Sequence, residues 1–217
     1  MAEKNNTNKI LTIVLAVIIC VSAIVLLYVN LPKDEKTDNN INNNTNGSTD
    51  NNQTEEPVIV LTVIYGDEQT EYTIDELEAM DIITGYGGYR TSYPLIKGQE
   101  LYTGVTVSKL VELTAGNITN YSLRVTSNEK EKIENKTYNY TTIQGNINIY
   151  NSTNASDETP IEKGGVTMIV CFEKDGEYLN ESDDGKIKIA FVNKNEEKIT
   201  SSDLWWKFVE SIEIIEN

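Results

Sequence analysis

The chain has 217 residues, 34 of them acidic and 18 basic, for a formal charge of −16, and it contains no histidine. So acidic a protein repels nucleic acid and anionic membrane faces, and the lack of histidine removes the commonest metal ligand and the commonest general base together. Its two cysteines, Cys20 and Cys171, lie in separate apolar runs, so no disulfide framework is expected.

Residues 10–29, ILTIVLAVIICVSAIVLLYV, carry no charge. At about 1.5 Å rise per residue they would cross a bilayer core of roughly 30 Å. The expectation is a transmembrane helix over 10–31 behind a short cytoplasmic N-terminus, 1–9. A cleaved signal peptide is the rival, but its apolar core is usually about 7–15 residues long and ends in small residues, which this run does not. A lipid-modified Cys20 is disfavoured by Ile19 before it and by the apolar residues after it. Lysines tie across the segment, so the positive-inside rule says little. The sequons are more informative. N-x-[ST] occurs after the apolar run at Asn43, Asn46, Asn52, Asn117, Asn120, Asn135, Asn139, Asn151, Asn154 and Asn180, and such acceptors imply exposed loops outside the cell. The reading is a single-pass protein of the cell membrane with its C-terminal domain extracytoplasmic. Residues 32–56 hold one aliphatic side chain, Ile41, and are expected to form a disordered Asn-rich linker. Residues 57–217 are enough for one domain with a true core.

Within that domain VIVLTVIY (58–65) reads as a strand, turned by Gly66-Asp67 toward a partner at 70–73. TIDELEAM (73–80) opens with a capping box, Thr73 and Glu76, and predicts a helix. The stretch from TGYGGYRT (84–91) to Lys97 has no periodicity and reads as an ordered loop. TVSKLVELTA (106–115) predicts the clearest helix, with Val107, Leu110 and Val111 on one face and Gly116 as its stop. SLRVTS (122–127) is a strand, and 137–144 reads equally as strand or short helix. Residues 145–165 look like a surface excursion. VTMIVCFE (166–173) is a buried strand followed by a Lys174-Asp175-Gly176 turn, and IKIAFVN (187–193) is the next. SSDLWWKFVESIEII (201–215) reads as a short helix running into a final strand. The order of elements predicts a mixed α+β domain.

Three of these segments are familiar together. LYTGVTVSKLVELTAG (101–116) resembles the W-x-G-V-x-L-x-x-L-L-x-x-x-G segment of the sulfite-oxidase-type molybdopterin domain. MIVCFEKDGEYLNESDDGKIKIAFVN (168–193) is similar to that family's L-A-Y-x-x-N-G-x-x-L…G-x-P-L-R-L-V stretch, and WWKFVESIEI (205–214) to its closing V-K-W-x-x-x-I-x-V. The resemblance covers nearly all of 57–217 and is nearest to small, anchored, extracytoplasmic versions of the domain found in archaea. It implies the family's fold and a molybdopterin pocket around Tyr86, Gly87, Gly88, Arg90, Lys188 and Lys207. The chemistry departs from the family. A C-x-G-N-x-R motif there supplies the molybdenum-ligating thiolate. Laid along this chain it puts Tyr86 at the cysteine, Gly88 at the glycine, Tyr89 at the asparagine and Thr91 at the arginine. Lys188 stands where the G-x-P-L-R arginine would be, Lys186 replaces the proline, and Lys207 matches the lysine of V-K-W. A phenol does not reproduce soft thiolate ligation, and a lysine lacks the planar fork of arginine.

The sequence-level expectation is therefore a non-catalytic module with no cofactor, molybdopterin entering by resemblance alone. Its partners would be the membrane, through the N-terminal helix, and a small anionic ligand or a cell-surface protein at the Tyr86–Arg90 pocket. An active molybdopterin oxidoreductase with atypical ligation and a surface or adhesion module stand as alternatives. The glycines of 85–88 are read either as a ligand loop or as a bend needing positive φ. Trp205 and Trp206 could stack on sugars or anchor a core edge. The acidic run Asn180–Asp184 lacks the ligand spacing of a Ca²⁺ loop.

Overall fold

A computed structural model describes residues 56–217. The membrane helix expected over 10–31, and the linker expected over 32–56 apart from its last residue, lie outside the described residues. No helix among the described residues is long and apolar enough to cross a membrane.

Strand β1 (Leu61–Tyr65) turns at Gly66, φ 60°, into antiparallel β2 (Glu68–Tyr72). The Thr73–Glu76 capping box is formed and starts α1 (Ile74–Glu78), which lasts five residues. Two long antiparallel strands follow, β3 (Ile82–Arg90) and β4 (Ile96–Thr106). Thr106 caps α2 (Val107–Ala115), which buries Val107, Leu110 and Val111 and stops at Gly116, φ 70°. Next come the paired strands β5 (Tyr121–Glu129) and β6 (Lys132–Tyr138). Stretch 137–144 is divided between the end of β6 and the single turn α3 (Tyr140–Ile143), capped by Asn139. The excursion at 145–165 contains two short strands, β7 (Asn148–Asn151) and β8 (Glu162–Lys163). Strand β9 (Thr167–Lys174) turns at Asp175-Gly176 into β10 (Glu177–Tyr178), then β11 (Lys188–Asn193), β12 (Lys198–Ser201), a 3₁₀ turn at Ser202–Leu204 and β13 (Val209–Glu216).

The strands make two bodies of sheet. One has the order β2-β1-β13-β5-β6, with β1 and β13 parallel, and its inner face is set by alternation: Leu61, Val63, Leu123, Val125, Ile212 and Ile214 are buried. In the other, β4 pairs with both β3 and β9, β9 with β11, and β11 with β3, so these four strands close on themselves as a small barrel. Beyond it, β12, β7 and β8 extend the sheet from the far end of β3. Strands β9 and β11 are buried on both faces. Met168, Val170, Phe172, Ile189 and Phe191 join the main core beneath the five-stranded sheet and α2, while Ile169, Cys171, Ala190 and Val192 join a smaller cluster with Tyr102 and Trp205.

The expected α+β class does not hold. The described residues are 50% strand and 13% helix, because α1 and α3 are little more than one turn each and the loop expected over 84–97 is mostly strand, most of β3 with the start of β4. The glycines explain the misreading. In β3 the inward positions are Ile83, Gly85 and Gly87, so the apolar half of the alternation is written in residues with no side chain. None of Gly85, Gly87 or Gly88 has positive φ. They are glycine because of what lies against them. A Cβ on Gly87 would come within 2.6 Å of the Tyr102 ring and 2.9 Å of Trp205, and one on Gly85 within 2.9 Å of the Asn193 carbonyl. A β-bulge between Gly87 and Tyr89 then shifts the phase and turns Tyr89 toward Trp205, ring centroids 5.2 Å apart.

Gly104 is the tightest of these contacts in the barrel wall, with a Cβ there falling 2.1 Å from the Val170 carbonyl oxygen. Gly104→Ala should lower unfolding free energy by about 3 kcal/mol, the upper end of ordinary over-packing. Gly176→Ala, in open space at φ 81°, should cost only about 1–2 kcal/mol for its left-handed backbone. Equal urea midpoints for the two variants would show that the wall yields and that the barrel does not require a bare backbone at this point.

Candidate functional site

The predicted site residues divide into three groups. The first is built on Asp184. The loop from Asn180 folds back so that the Asp183 and Asp184 amides bond the Asn180 carbonyl, and Phe208 N–H bonds the Asp184 carbonyl at 2.8 Å. This points the Asp184 side chain inward, where Oδ1 accepts from Lys188 Nζ at 3.0 Å and from Lys207 Nζ at 2.9 Å. Lys207 also donates to the Asp183 carbonyl. Lys188 is only 3% exposed, and its ammonium lies 4.8 Å from the Tyr102 ring centroid and 5.4 Å from that of Trp205, in the range of cation–π attraction. The same two rings lie against Gly87. The fold thus brings Gly87, Lys188 and Lys207 together around Tyr102 and Trp205.

Burial raises the Asp184 carboxyl, but the hydrogen bonds and charges of Lys207 and Lys188 outweigh it and hold the group below the ordinary aspartate value. For Lys207, burial lowers the ammonium while its bond to Asp184 raises it further, so it sits above the ordinary lysine value. The result is a buried Lys188–Asp184 pair joined at its edge by the more exposed Lys207, with both ammonium donors on one acceptor.

Arg90 forms the second group. At the end of β3 its Nη2 donates to Glu158 Oε1 at 3.0 Å and its guanidinium lies 5.0 Å over the Tyr150 ring, while the buried Nε has no partner. Gly88 supports this end of the strand, a Cβ there falling 2.8 Å from Ile199 Cγ2. The third is Tyr86 alone. Its ring is on the outer face of β3, 37% exposed, and its carbonyl accepts from Asn193 Nδ2 at 3.3 Å.

These residues do not fit a molybdopterin centre. At the thiolate position stands an outward-facing phenol. Cys171, paired across the strands with Lys188, is fully buried, and burial pushes its thiol up to about 12. Its Sγ donates to the Glu173 carbonyl. Lysine donors that would meet an oxyanion are occupied by Asp184, and Arg90 is occupied by Glu158. Among the described residues no cluster of three or more His, Cys, Asp or Glu side chains could hold a metal ion. Asp184, within the acidic run considered for Ca²⁺, faces two cations.

Sequence reasoning named Lys188 and Lys207 among the pocket residues but did not set Asp184, Tyr102 and Trp205 beside them, which give them their setting. The signal for Asp184 is its position four residues before Lys188 across Gly185. Also missed was a cleft of about 460 Å³ away from these groups, lined by Val58, Val60, Ile74, Phe172, Tyr178 and Leu179 with Thr73, Asp75, Glu181 and Lys186 among its polar lining. Trp205 is buried and Trp206 half-buried, as core anchors rather than stacking platforms.

No known protein family matches the chain, and no curated protein does. Among solved structures it superposes on the sulfane dehydrogenase SoxCD from Paracoccus pantotrophus with a TM-score of 0.46 at 13% identity, over 72% of this chain and 38% of that one. The chain therefore spans well under half the length of that structure, and the likeness is a distant one in the course of the backbone.

Removing Asp184 strands the buried Lys188 ammonium. Asp184→Asn should cost about 3–5 kcal/mol near neutral pH, as for other buried pairs broken from one side, when read by urea unfolding. A carboxyl held low stabilises the fold above its unfolded pKa and loses that contribution as pH falls through the folded one. The gap between wild type and Asp184→Asn should therefore close only below about pH 3.8. On the alkaline side, the raised Lys207 contributes fully below 10.5 and loses its contribution above it. A gap that stayed constant down to pH 2 would remove Asp184 from the account.

Proposed function

We propose that residues 57–217 form a non-catalytic binding module on a scaffold related to the sulfite-oxidase molybdopterin domain, displayed outside the cell from a single-pass N-terminal anchor. The observation that carries this reading is the engagement of Lys188 and Lys207 by Asp184. Where the resemblance calls for cations open to a phosphate or an oxyanion, this chain supplies two cations held by one carboxylate of its own, one of them walled in by aromatic rings. The thiolate position holds Tyr86, and no histidine exists in the chain to take part.

The small ligand of such a module has a candidate place in the cleft. Its volume is within the range of small-molecule sites, about 300–1,000 Å³. Val60, Phe172 and Leu179 give it an apolar floor, and Asp75, Glu181 and Lys186 supply charge of both signs. A small amphipathic molecule suits that lining better than an inorganic anion.

Two measurements test the reading. The protein purified from cells that make the molybdenum cofactor should contain neither stoichiometric molybdenum by elemental analysis nor pterin fluorescence after denaturation; finding both would restore the oxidoreductase. A neutral apolar dye should bind the folded domain, and Val58→Asp, at an exposed lining position, should weaken that binding about tenfold, or roughly 1.4 kcal/mol, without shifting the melting temperature. Unchanged dye affinity in that variant would place the ligand elsewhere.

A further inference from the structure

The sequons are not interchangeable once folded. Seven fall among the described residues, and they sit in different backbone settings. At Asn180 the side-chain Oδ1 accepts from both Ser182 N–H, at 2.9 Å, and Ser182 Oγ, at 2.7 Å. At Asn154 it accepts from Ser156 N–H at 3.2 Å. Both asparagines are exposed, and each lies in a turn or irregular segment outside any strand or helix. At Asn135 the opposite holds. That residue is inside β6, its Oδ1 accepts from Thr126 Oγ1 on the neighbouring strand, and its sequon partner Thr137 is two residues along the same strand. Same-face neighbours in a strand are separated by two rises of about 3.3 Å each, too far for the Thr137 hydroxyl to reach the amide.

We infer that Asn180 and Asn154 are acceptors for N-linked glycan transfer and that Asn135 is not. This rests on the extracytoplasmic placement proposed above. The donor is an oligosaccharide carried on a lipid pyrophosphate. Asparagine Nδ2 forms the new bond to the anomeric carbon, the bond from that carbon to the phosphate oxygen breaks, and the lipid pyrophosphate leaves with the electron pair while one Nδ2 proton passes to a base of the transferase. An amide nitrogen is a poor nucleophile because its lone pair is delocalised into the carbonyl. Hydrogen bonds to Oδ1 make the Nδ2 protons more acidic, and the turn leaves Nδ2 without an intramolecular acceptor. At Asn180 the turn also presents amide and hydroxyl as one unit to an enzyme that reads both. The position of Asn180 has a consequence for the binding reading, since its neighbours Leu179 and Glu181 both line the cleft. A glycan there stands at the cleft's rim, next to the exposed Tyr178 ring.

The test is glycopeptide mass spectrometry of the full chain from the cells that make it, alongside labelling of those intact cells with a membrane-impermeant amine reagent that reads exposed lysines such as Lys130 and Lys163. The expected result is sugar mass on the Asn180 and Asn154 peptides and none on the Asn135 peptide. Ser182→Ala should abolish the Asn180 adduct and Ser182→Thr should keep it; loss in both would show a folding or trafficking defect, so the second variant keeps the claim answerable. Unmodified Asn180 and Asn154 on a chain whose lysines are labelled overturn this inference and leave the extracytoplasmic module standing. Unmodified peptides with unlabelled lysines overturn the extracytoplasmic placement and this inference with it. Equal occupancy at Asn135 overturns the selection by turn geometry.

Discussion

The structure depends on a closure that leaves almost no room inside it. Eight strands make a barrel just wide enough for side chains to fill, and here four strands, β3, β4, β9 and β11, close on one another. Such a circuit tolerates few side chains within, so its inward positions include Gly85, Gly87, Gly104 and Ala190, and the rings of Tyr102 and Trp205 lie directly on bare backbone. Lys188 enters this confined space because its stem runs along apolar surface, its ammonium meets two aromatic faces, and Asp184 accepts from it. A buried ammonium without that acceptor would be prohibitively costly. The cluster also reaches outward. Phe208 N–H bonds Asp184, Val209 N–H bonds Ile187, and Trp206 and Ile189 exchange backbone hydrogen bonds. The barrel is thereby tied to the chain leading into β13, the central strand of the other sheet.

Much of this was legible in the sequence where side chains carry the pattern. The capping box at Thr73, the amphipathic face of α2 with its Gly116 stop, and the doubly buried β9 and β11 all follow from residues whose hydropathy states their environment. The α+β expectation failed where that code falls silent. Period-2 alternation is written in hydropathy, and β3 writes its buried face in glycine, so a strand of a narrow barrel looks like an aperiodic loop. The glycines were read as candidates for positive φ or for cradling a ligand. Their actual reason, contact from Tyr102, Trp205, Val192 and Ile199, involves partners far along the chain and has no local signature.

The site shows the same division. Motif positions identified Lys188 and Lys207 as neighbours in space, and the fold does bring them together. What the motif did not carry was the charge balance. Asp184 was read as one member of an acidic run, Asn180–Asp184, weighed and set aside as a Ca²⁺ loop for want of the right spacing. Its direction is set by a local turn onto Asn180 and by a bond from Phe208 N–H, and the second depends on tertiary structure. One carboxylate turned inward changes two cations from ligands for an external anion into parts of a wall.

That change bears on where this chain has room for a ligand. A fold constrains where a pocket lies more strongly than what the pocket holds. An empty polar cavity leaves buried donors unpaired. Here little is left open, though the buried Arg90 Nε has no partner. Tyr102, Trp205 and the Lys188–Asp184–Lys207 cluster occupy the barrel end, and Glu158 with Tyr150 covers Arg90. The open volume lies instead in the separate cleft between Val58, Ile74, Phe172 and Leu179. A molecule bound there would meet side chains of α1, β9, β10 and the segment before β1. Binding at such a place is free to vary, since the residues that hold the barrel shut are not the residues that would select the ligand.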